Sequence, residues 1–273
     1  MQQPPVQTQN VLREGFVEFA YGDPDPTLLP VGLVRDAADR LLRRADAAGA
    51  LVYGPNPGPR ALREAIVARV AERERLSLAP DQILISGGNS QALGQVLTDL
   101  TRPGDAVFVE VPTYSLALGV LADHPVEVTG VPMDDAGLDV DALEAAVRLA
   151  RGAGRRPRLL YTIPTFHNPA GVSLASRRRE HLLELARREG LIVAEDDVYR
   201  ELVFEGTAPP ALRALDPEAP VVRLGSFAKT LAPGLRLGWI DAPPALFEPL
   251  SADGVLESGG CVSQFSASVV AAL

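Results

Sequence analysis

Lys229 is the only lysine of this 273-residue chain, although lysine and arginine together account for 26 residues. Arginine supplies a fixed positive charge, whereas a lysine amine can lose its proton and act as a nucleophile or base. Ser226 lies three residues before Lys229, and Arg236 lies seven residues after it. This segment therefore combines an amine nucleophile, a hydroxyl group and a guanidinium group suited to a phosphate.

Three consecutive acidic residues, Glu195, Asp196 and Asp197, follow the apolar run 191–194. Carboxylates at the end of a buried strand are costly unless a cationic group meets them. A metal ion is one candidate, but the three histidines of the chain show no ligand spacing with these acids or with each other, so no metal site is predicted. An organic cation is the partner that remains.

Other polar segments follow further apolar runs. Gly88, Asn89 and Ser90 open a helical stretch, where free backbone N–H groups and the helix dipole can bind an anion. The spacing matches neither a P-loop nor a dinucleotide fingerprint, and a purely structural turn is an open alternative. Tyr114 and Asn168 would add an aromatic ring and a hydrogen-bond donor, although each also fits a role in packing or in a turn.

Alternating strands and helices must position these residues. Strands are predicted at 82–86, 106–110, 158–163, 191–195 and 221–225, and helices at 31–48, from Pro59 onward, and at 89–100, 114–122, 139–150 and 176–189. Apolar strands separated by helices indicate a three-layer α/β/α fold with a mainly parallel sheet. Ligands of such sheets bind beyond the carboxyl ends of the strands, where all the residues above fall.

The bulk composition excludes several classes of protein. A net charge of −9 and a pI near 4.9 argue against a nucleic-acid-binding surface. No apolar run approaches the roughly 18 residues of a membrane span. Cys261 is the only cysteine, so an internal disulfide is impossible, and the first residues lack the features of a signal peptide. We therefore expect a cytoplasmic protein without a membrane or nucleic-acid partner.

The combined inventory fits a phosphorylated, cationic aromatic aldehyde held as a Schiff base, which describes pyridoxal phosphate. Over about residues 20–273, the chain resembles class I/II (fold type I) pyridoxal-phosphate aminotransferases. Within them it is similar to the 2-aminoadipate/kynurenine aminotransferase-like branch, with which the aminotransferase domain of the MocR regulators is allied. The matching motifs are Tyr-Gly at 53–54, Ser-Gly-Gly-Asn-Ser at 86–90, Pro-Thr-Tyr at 112–114, Asn-Pro-Ala-Gly at 168–171, Asp-Asp-Val-Tyr at 196–199 and Ser-Phe-Ala-Lys at 226–229 with Arg236.

The resemblance implies a role for each matched residue. Lys229 would form the Schiff base and move the substrate proton, and Asp196 would pair with the pyridinium nitrogen of the cofactor. Asn168 and Tyr199 would bind the 3′ oxygen, and Tyr114 would stack on the ring. Lys229, Asp196 and Tyr199 form the expected catalytic set. The phosphate would be held by Gly88, Asn89, Ser90, Ser226 and Arg236.

The resemblance also implies an assembly. Tyr53 would reach the phosphate of the neighbouring subunit in a homodimer, and Gly22 lies where the N-terminal loop of the family passes over the substrate. The expected domains are an N-terminal arm at 1–30, a cofactor-binding large domain at 31–250 and, at 251–273, the start of a connection to a small C-terminal domain. The family continues past the equivalent of Leu273 and carries its substrate-carboxylate arginine there, so a truncated chain is expected.

The implied activity is transfer of an amino group from an amino acid to a 2-oxo acid by a ping-pong mechanism. Ala170 stands where the family usually has threonine, which removes one local hydrogen bond and no chemistry. Three alternatives stay open. A lyase or decarboxylase of the same fold would show the same cofactor contacts, and a MocR-like regulatory domain or an inactive fragment would keep many of them.

Overall fold

The computed structural model describes Gly15, Gly22 and residues 24–74, 76–259 and 262–273. Most of the expected N-terminal arm at 1–30, and also Cys261, lie outside the described residues. The sheet contains β1 (Ile83–Ser86), β2 (Ala106–Val111), β3 (Glu127–Asp134), β4 (Gly137–Leu138), β5 (Pro157–Thr162), β6 (Ile192–Asp196), β7 (Val221–Ser226) and β8 (Gly238–Asp241). The helices are α1 (Val31–Leu42), α2 (Arg60–Glu74), α3 (Asn89–Leu100), α4 (Ser115–Ala122), α5 (Val140–Gly152), α6 (Ser176–Glu189), α7 (Leu212–Leu215), α8 (Pro244–Ser251), α9 (Gly254–Glu257) and α10 (Gln264–Ala271).

The eight strands lie in the order β1-β8-β7-β6-β5-β2-β3-β4. Neighbouring strands from β7 to β3 run parallel to each other, so the predicted mainly parallel sheet is confirmed. β8 is antiparallel to both of its neighbours, β1 and β7, and β4 is antiparallel to β3. β1, β2, β5, β6 and β7 each fall within one residue of their predicted bounds, whereas no bounds were predicted for β3, β4 and β8.

Helices cover both faces of the sheet, as the apolar strands require. One core cluster joins the sheet to α3 and α4, and a second joins the opposite face to α5 and α6. A third cluster packs α2 and α10 against β1 and β8. The three-layer α/β/α architecture is therefore confirmed. None of the helices in the described part of the chain has the length and apolar character that crossing a bilayer requires.

The first helix is shorter than predicted. α1 buries Ala37 and Leu41 but ends at Leu42 rather than near residue 48. The next residue on this buried stripe would be Ala45, which is exposed. Because no further buried residue continues this apolar face, packing does not stabilise the helix beyond Leu42. A short 3₁₀ helix follows at Ala47–Ala50.

Candidate active site

The carboxyl ends of three strands meet at one edge of the sheet. Ser86 ends β1 and Ser226 ends β7, and both pair with Gly238 of the intervening β8. Asp196 ends the adjacent β6 and pairs with Leu224 of β7. The glycine-rich turn, the acidic residues and the lysine segment are distant in the sequence, and this edge brings them together.

An anion cradle forms where α3 begins. Gly88 is the N-cap residue, has φ of 97° and contributes no side-chain cap. Arg236 donates from Nη2 to the carbonyl oxygen of Gly87 at 3.0 Å. A Cβ atom on Gly88 would lie 2.8 Å from this Arg236 nitrogen, so any other residue here would require the guanidinium to move. The guanidinium therefore lies beside the open N-terminus of a helix, an arrangement that binds phosphate groups.

Ser226 and Ser90 border the cradle in different ways. The Ser226 hydroxyl accepts a hydrogen bond from the Ala228 backbone N–H at 3.1 Å, which leaves its own proton free to be donated. Ser90 is exposed in the first turn of α3. Ser90 is thus exposed and Ser226 half-buried at the ends of the elements that border the cradle.

Asp196 is buried, and two side chains hold its carboxylate. Asn89 donates from Nδ2 to Oδ1 at 2.7 Å, and Tyr161 donates its hydroxyl proton to Oδ2 at 2.7 Å. Burial raises the pKa of Asp196 to about 6, and the hydrogen bonds from Tyr161 and Asn89 oppose this rise. A cation placed against Asp196 would lower this pKa and stabilise the charged form.

Glu195 and Asp197, the other two acids of the group, do not face this edge and have protein partners of their own. Successive residues of a strand point to opposite faces, so Glu195 lies on the far side of the sheet from Asp196. Glu195 accepts hydrogen bonds from the backbone N–H groups of Leu212 and Arg213, and Asp197 accepts from Arg200 and Arg223. Only Asp196 remains available for a ligand at this site.

Asn168 and the two tyrosines form the next part of the site. Asn168 donates from Nδ2 to the Tyr199 hydroxyl at 3.2 Å. Tyr114 is the N-cap residue of α4, and both tyrosines pack on the core cluster beneath the sheet edge. Burial raises the pKa of both tyrosine hydroxyls, so both stay protonated at neutral pH and can donate hydrogen bonds.

The remaining predicted residues lie in two places. Lys229 donates from Nζ to the carbonyl oxygen of Gly22 at 2.6 Å, which places Gly22 against the lysine amine. Among the residues that the structure describes, Tyr53 takes no part in the hydrogen bonds of the site. Its side chain is 86% exposed and lies beside Gly259. A single chain therefore does not bring Tyr53 to the other predicted residues.

Three residues of the site were not predicted from the sequence. In the sequence, Tyr161 is indistinguishable from an apolar strand residue, yet its hydroxyl donates a hydrogen bond to Asp196. Glu110 is buried and lies 3.1 Å from the His167 imidazole, measured from Oε2 to Nε2. His167 in turn accepts from the Ala170 N–H at 3.2 Å and so braces the turn that carries Asn168. Glu110, an acidic residue within the otherwise apolar run 106–110, was the one feature of the sequence that could have indicated this contact.

The described residues do not form a recognisable metal site. They contain no group of three or more histidine, cysteine, aspartate or glutamate side chains arranged as metal ligands. The groups that the structure gathers are a guanidinium, a helix N-terminus, one buried carboxylate and hydroxyl groups, and the amine of Lys229 lies three residues beyond the end of β7. This set suits an organic ligand with an anionic end and a cationic end.

Known proteins share both the sequence and the fold. The family described as "Aminotransferase class I and II" matches residues 16–273. An aromatic-amino-acid aminotransferase of Thermococcus litoralis is 38% identical over 86% of this chain and 56% of its own length. An uncharacterized HTH-type transcriptional regulator of Bacillus subtilis, YisV, is 32% identical over 89% of this chain and 48% of its own.

A solved structure extends the comparison to three dimensions. The crystal structure of Pyrococcus horikoshii kynurenine aminotransferase, in complex with PMP, with KYN as substrates and KYA as products, has a TM-score of 0.85 and 35% identity. It matches 92% of this chain and 62% of its own chain. The chain thus spans less than two thirds of the length of each of these three relatives.

Proposed function

The chain belongs to the aminotransferase class I and II family, and from this premise we propose that it binds pyridoxal 5′-phosphate and transfers an amino group from an amino acid to a 2-oxo acid. Its architecture is that of the fold type I large domain. The relatives are longer than this chain, so the activity, the substrates and the partner subunit belong to the proposal and not to the family membership.

The cofactor proposal rests on one observation: Asn89 belongs to the anion cradle and also contacts Asp196. Its backbone is the first residue of α3 in the anion cradle, and its side chain donates to Asp196. The cradle suits a phosphate and Asp196 suits a pyridinium, and Asn89 contacts both, so we infer one ligand that carries both groups. Asn89 Oδ1 and Ser86 Oγ are also buried without a hydrogen-bond partner among the described residues, which leaves polar capacity at this edge.

When bound, pyridoxal phosphate supplies an electron sink for negative charge at the substrate Cα. Asp196 would hold a proton on the pyridine nitrogen, which keeps that sink effective. Lys229 would be the covalent attachment point, and its released amine would take the Cα proton and return it to a different carbon. Amino donor and oxo acceptor would react in turn, as a ping-pong mechanism requires.

The other residues would bind and orient. Asn168 and Tyr199 would hydrogen-bond the 3′ oxygen, and the Tyr114 ring would stack on the pyridine face. Arg236 would hold the phosphate as a guanidinium. The remaining phosphate contacts would come from the N-terminus of α3, at Gly88, Asn89 and Ser90, and from Ser226.

The proposed homodimer would complete each site from the partner subunit. Tyr53 would reach the neighbouring phosphate, and two observations support this. The side chain is 86% exposed in the single chain, and the preceding Leu51 and Val52 are 69% and 61% exposed. Three consecutive exposed apolar or aromatic residues are typical of a surface that another chain covers.

Borohydride trapping tests the cofactor proposal directly. We expect the chain, mixed with pyridoxal phosphate and reduced, to carry the cofactor on the peptide that contains Lys229. Because Lys229 is the only lysine, side-chain labelling has a single possible origin. The matched control is Lys229→Arg, which keeps the charge and removes the nucleophile. An unlabelled Lys229 peptide, or equal labelling of the arginine variant, would contradict the proposal.

The similarity to transcriptional regulators favours a second candidate, a regulatory domain that holds the cofactor. Transfer assays separate the two. An aminotransferase converts an amino acid to its 2-oxo acid and passes the amino group to 2-oxoglutarate, with no net release of ammonia. A regulatory domain would trap cofactor without turnover. Release of ammonia or carbon dioxide in the absence of an acceptor would instead identify a lyase or decarboxylase.

A further inference from the structure

Tyr161 lies within β5 with only 1% of its surface exposed. It pairs with Ala194 of β6, and Asp196 lies two residues further along that strand. Residues two apart point to the same face of a sheet, so the Tyr161 hydroxyl and the Asp196 carboxylate share one side. They meet at 2.7 Å within an apolar cluster.

Two side chains from different layers of the fold each donate a hydrogen bond to one oxygen of the Asp196 carboxylate. Tyr161 approaches Oδ2 from the sheet, and Asn89 approaches Oδ1 from the start of α3. Each bond favours the ionised carboxylate, whereas burial and the adjacent Asp197 disfavour it. Among the described residues, the hydroxyls of Tyr114 and Tyr199 also sense the charge of Asp196, and Glu110 acts on the Tyr161 hydroxyl.

We propose that Tyr161 is a positioning residue, which keeps Asp196 ionised and correctly oriented before its cationic partner binds; the role of that partner rests on the proposed function. A phenylalanine here would remove the side-chain hydrogen bond to Oδ2. Tyr161 is the more informative of the two donors because Asn89 also belongs to the anion cradle. Removing the tyrosine hydroxyl therefore perturbs the carboxylate alone.

The next residue of the same strand provides a matched control. Thr162 donates its hydroxyl proton to Glu110 at 2.7 Å, on the other face of the sheet. Tyr161→Phe and Thr162→Val thus each delete one buried hydroxyl that donates to a buried carboxylate. Only Tyr161→Phe removes a hydrogen bond to Asp196. A general loss of structure would affect both variants, and circular dichroism with thermal unfolding would detect it.

The first experiment uses the cofactor-free chain. Carbon-13 NMR of labelled aspartate carboxyls, with Asp196→Asn to identify the signal, follows the titration of Asp196. We expect a pKa of about 6 in the parent chain. In Tyr161→Phe this pKa should rise by about one unit or more, as loss of a hydrogen bond to a charged group predicts, and in Thr162→Val it should not change. An unchanged Asp196 titration in Tyr161→Phe overturns the proposal.

The second experiment uses the chain loaded with pyridoxal phosphate that carries nitrogen-15 in its ring. We expect the ring nitrogen of Tyr161→Phe to lose its proton at lower pH than in the parent chain, and the dissociation constant to rise about tenfold. Ring-nitrogen protonation identical to that of the parent chain would also contradict the proposal. A parent chain that binds no cofactor would refute the proposed function alone, since the cofactor-free titration still decides on Tyr161.

Discussion

Asp196 is costly to the folded chain in the absence of a ligand. Its pKa rises from 3.8 in a model peptide to about 6 because the carboxylate is buried. Between these two values the folded state binds more protons than the unfolded state, so the free energy of unfolding falls as the pH rises. The loss amounts to roughly 2 to 3 kcal/mol above pH 6.

The substitution Asp196→Asn should therefore stabilise the cofactor-free chain while weakening cofactor binding. The asparagine amide can donate to the Tyr161 hydroxyl and carries no charge to desolvate. At about pH 8 we expect the free energy of unfolding to rise by on the order of 2 kcal/mol, measured by urea titration. Cofactor affinity should fall at least about tenfold, because the pyridinium loses its ion pair.

A second pH value provides the control for Asp196→Asn. Near pH 4 the folded parent chain already holds Asp196 protonated, so most of the stability difference should disappear. A difference that is equally large at both pH values would point to altered packing and would contradict the electrostatic origin of the effect.

The start of α3 is an element whose function depends on one glycine. Gly88→Ala would place a methyl group 2.8 Å from Arg236 Nη2 and would displace the guanidinium from the cradle. We expect the affinity for pyridoxal phosphate to fall about tenfold or more, as loss of a charge-assisted phosphate contact predicts, measured by equilibrium dialysis.

Gly104→Ala is the matched control for Gly88→Ala. Gly104 also has a positive φ, of 83°, but a Cβ atom there would meet no atom of the described residues within 4 Å apart from its chain neighbours. Both variants carry the same type of backbone strain, which costs about 1 kcal/mol of stability. Only the variant at Gly88 should lose cofactor affinity. Equal losses of affinity in both would attribute the effect to stability.

Most of the sheet could be predicted because its central strands are continuous apolar runs. β3 could not, since its residues are largely exposed, it contains Pro132, and it lies near the sheet edge, where burial imposes little pattern on the sequence. The direction of β8 could not be predicted either. A strand's apolar residues indicate that it is buried but do not specify which neighbours it joins.

The site could be predicted in outline but not in its supporting contacts. Lys229 was distinctive as a unique residue type, and its neighbours were distinctive as motifs. Tyr161 had no such signal, because a buried tyrosine in a strand is indistinguishable from a packing residue until its hydroxyl partner is known. Asn89 was expected to contact the phosphate, yet its side chain donates a hydrogen bond to Asp196. The position of a residue at the start of a helix does not determine the direction of its side chain.

At the scale of the whole molecule, the proposed dimer predicts complementation between two defective chains. Tyr53→Phe keeps Lys229 but should bind cofactor weakly, and Lys229→Ala keeps Tyr53 but cannot be labelled. In a heterodimer, the Lys229 of the first chain would receive the Tyr53 of the second. Co-expression should therefore restore borohydride labelling of the Tyr53→Phe chain at limiting cofactor.

A double variant provides the control for this complementation. A chain carrying both Tyr53→Phe and Lys229→Ala forms the same interface but supplies no tyrosine hydroxyl, so it should restore nothing. Equal restoration by the double variant would show that Tyr53 does not act across the interface. The domain boundaries at residues 30 and 250 stay predictions.

The reversed strand β8 also has a consequence for the timing of folding. Gly238 pairs with both Ser86 and Ser226, so β8 holds the first and the last strand of the site side by side. The α3 end of the site is synthesised long before this strand exists, and contacts between distant segments form slowly. During translation, the anion cradle therefore cannot be completed until residues 238–241 have left the ribosome. A nascent chain stalled earlier would expose the unpaired edges of β1 and β7, where chaperones bind and aggregation begins.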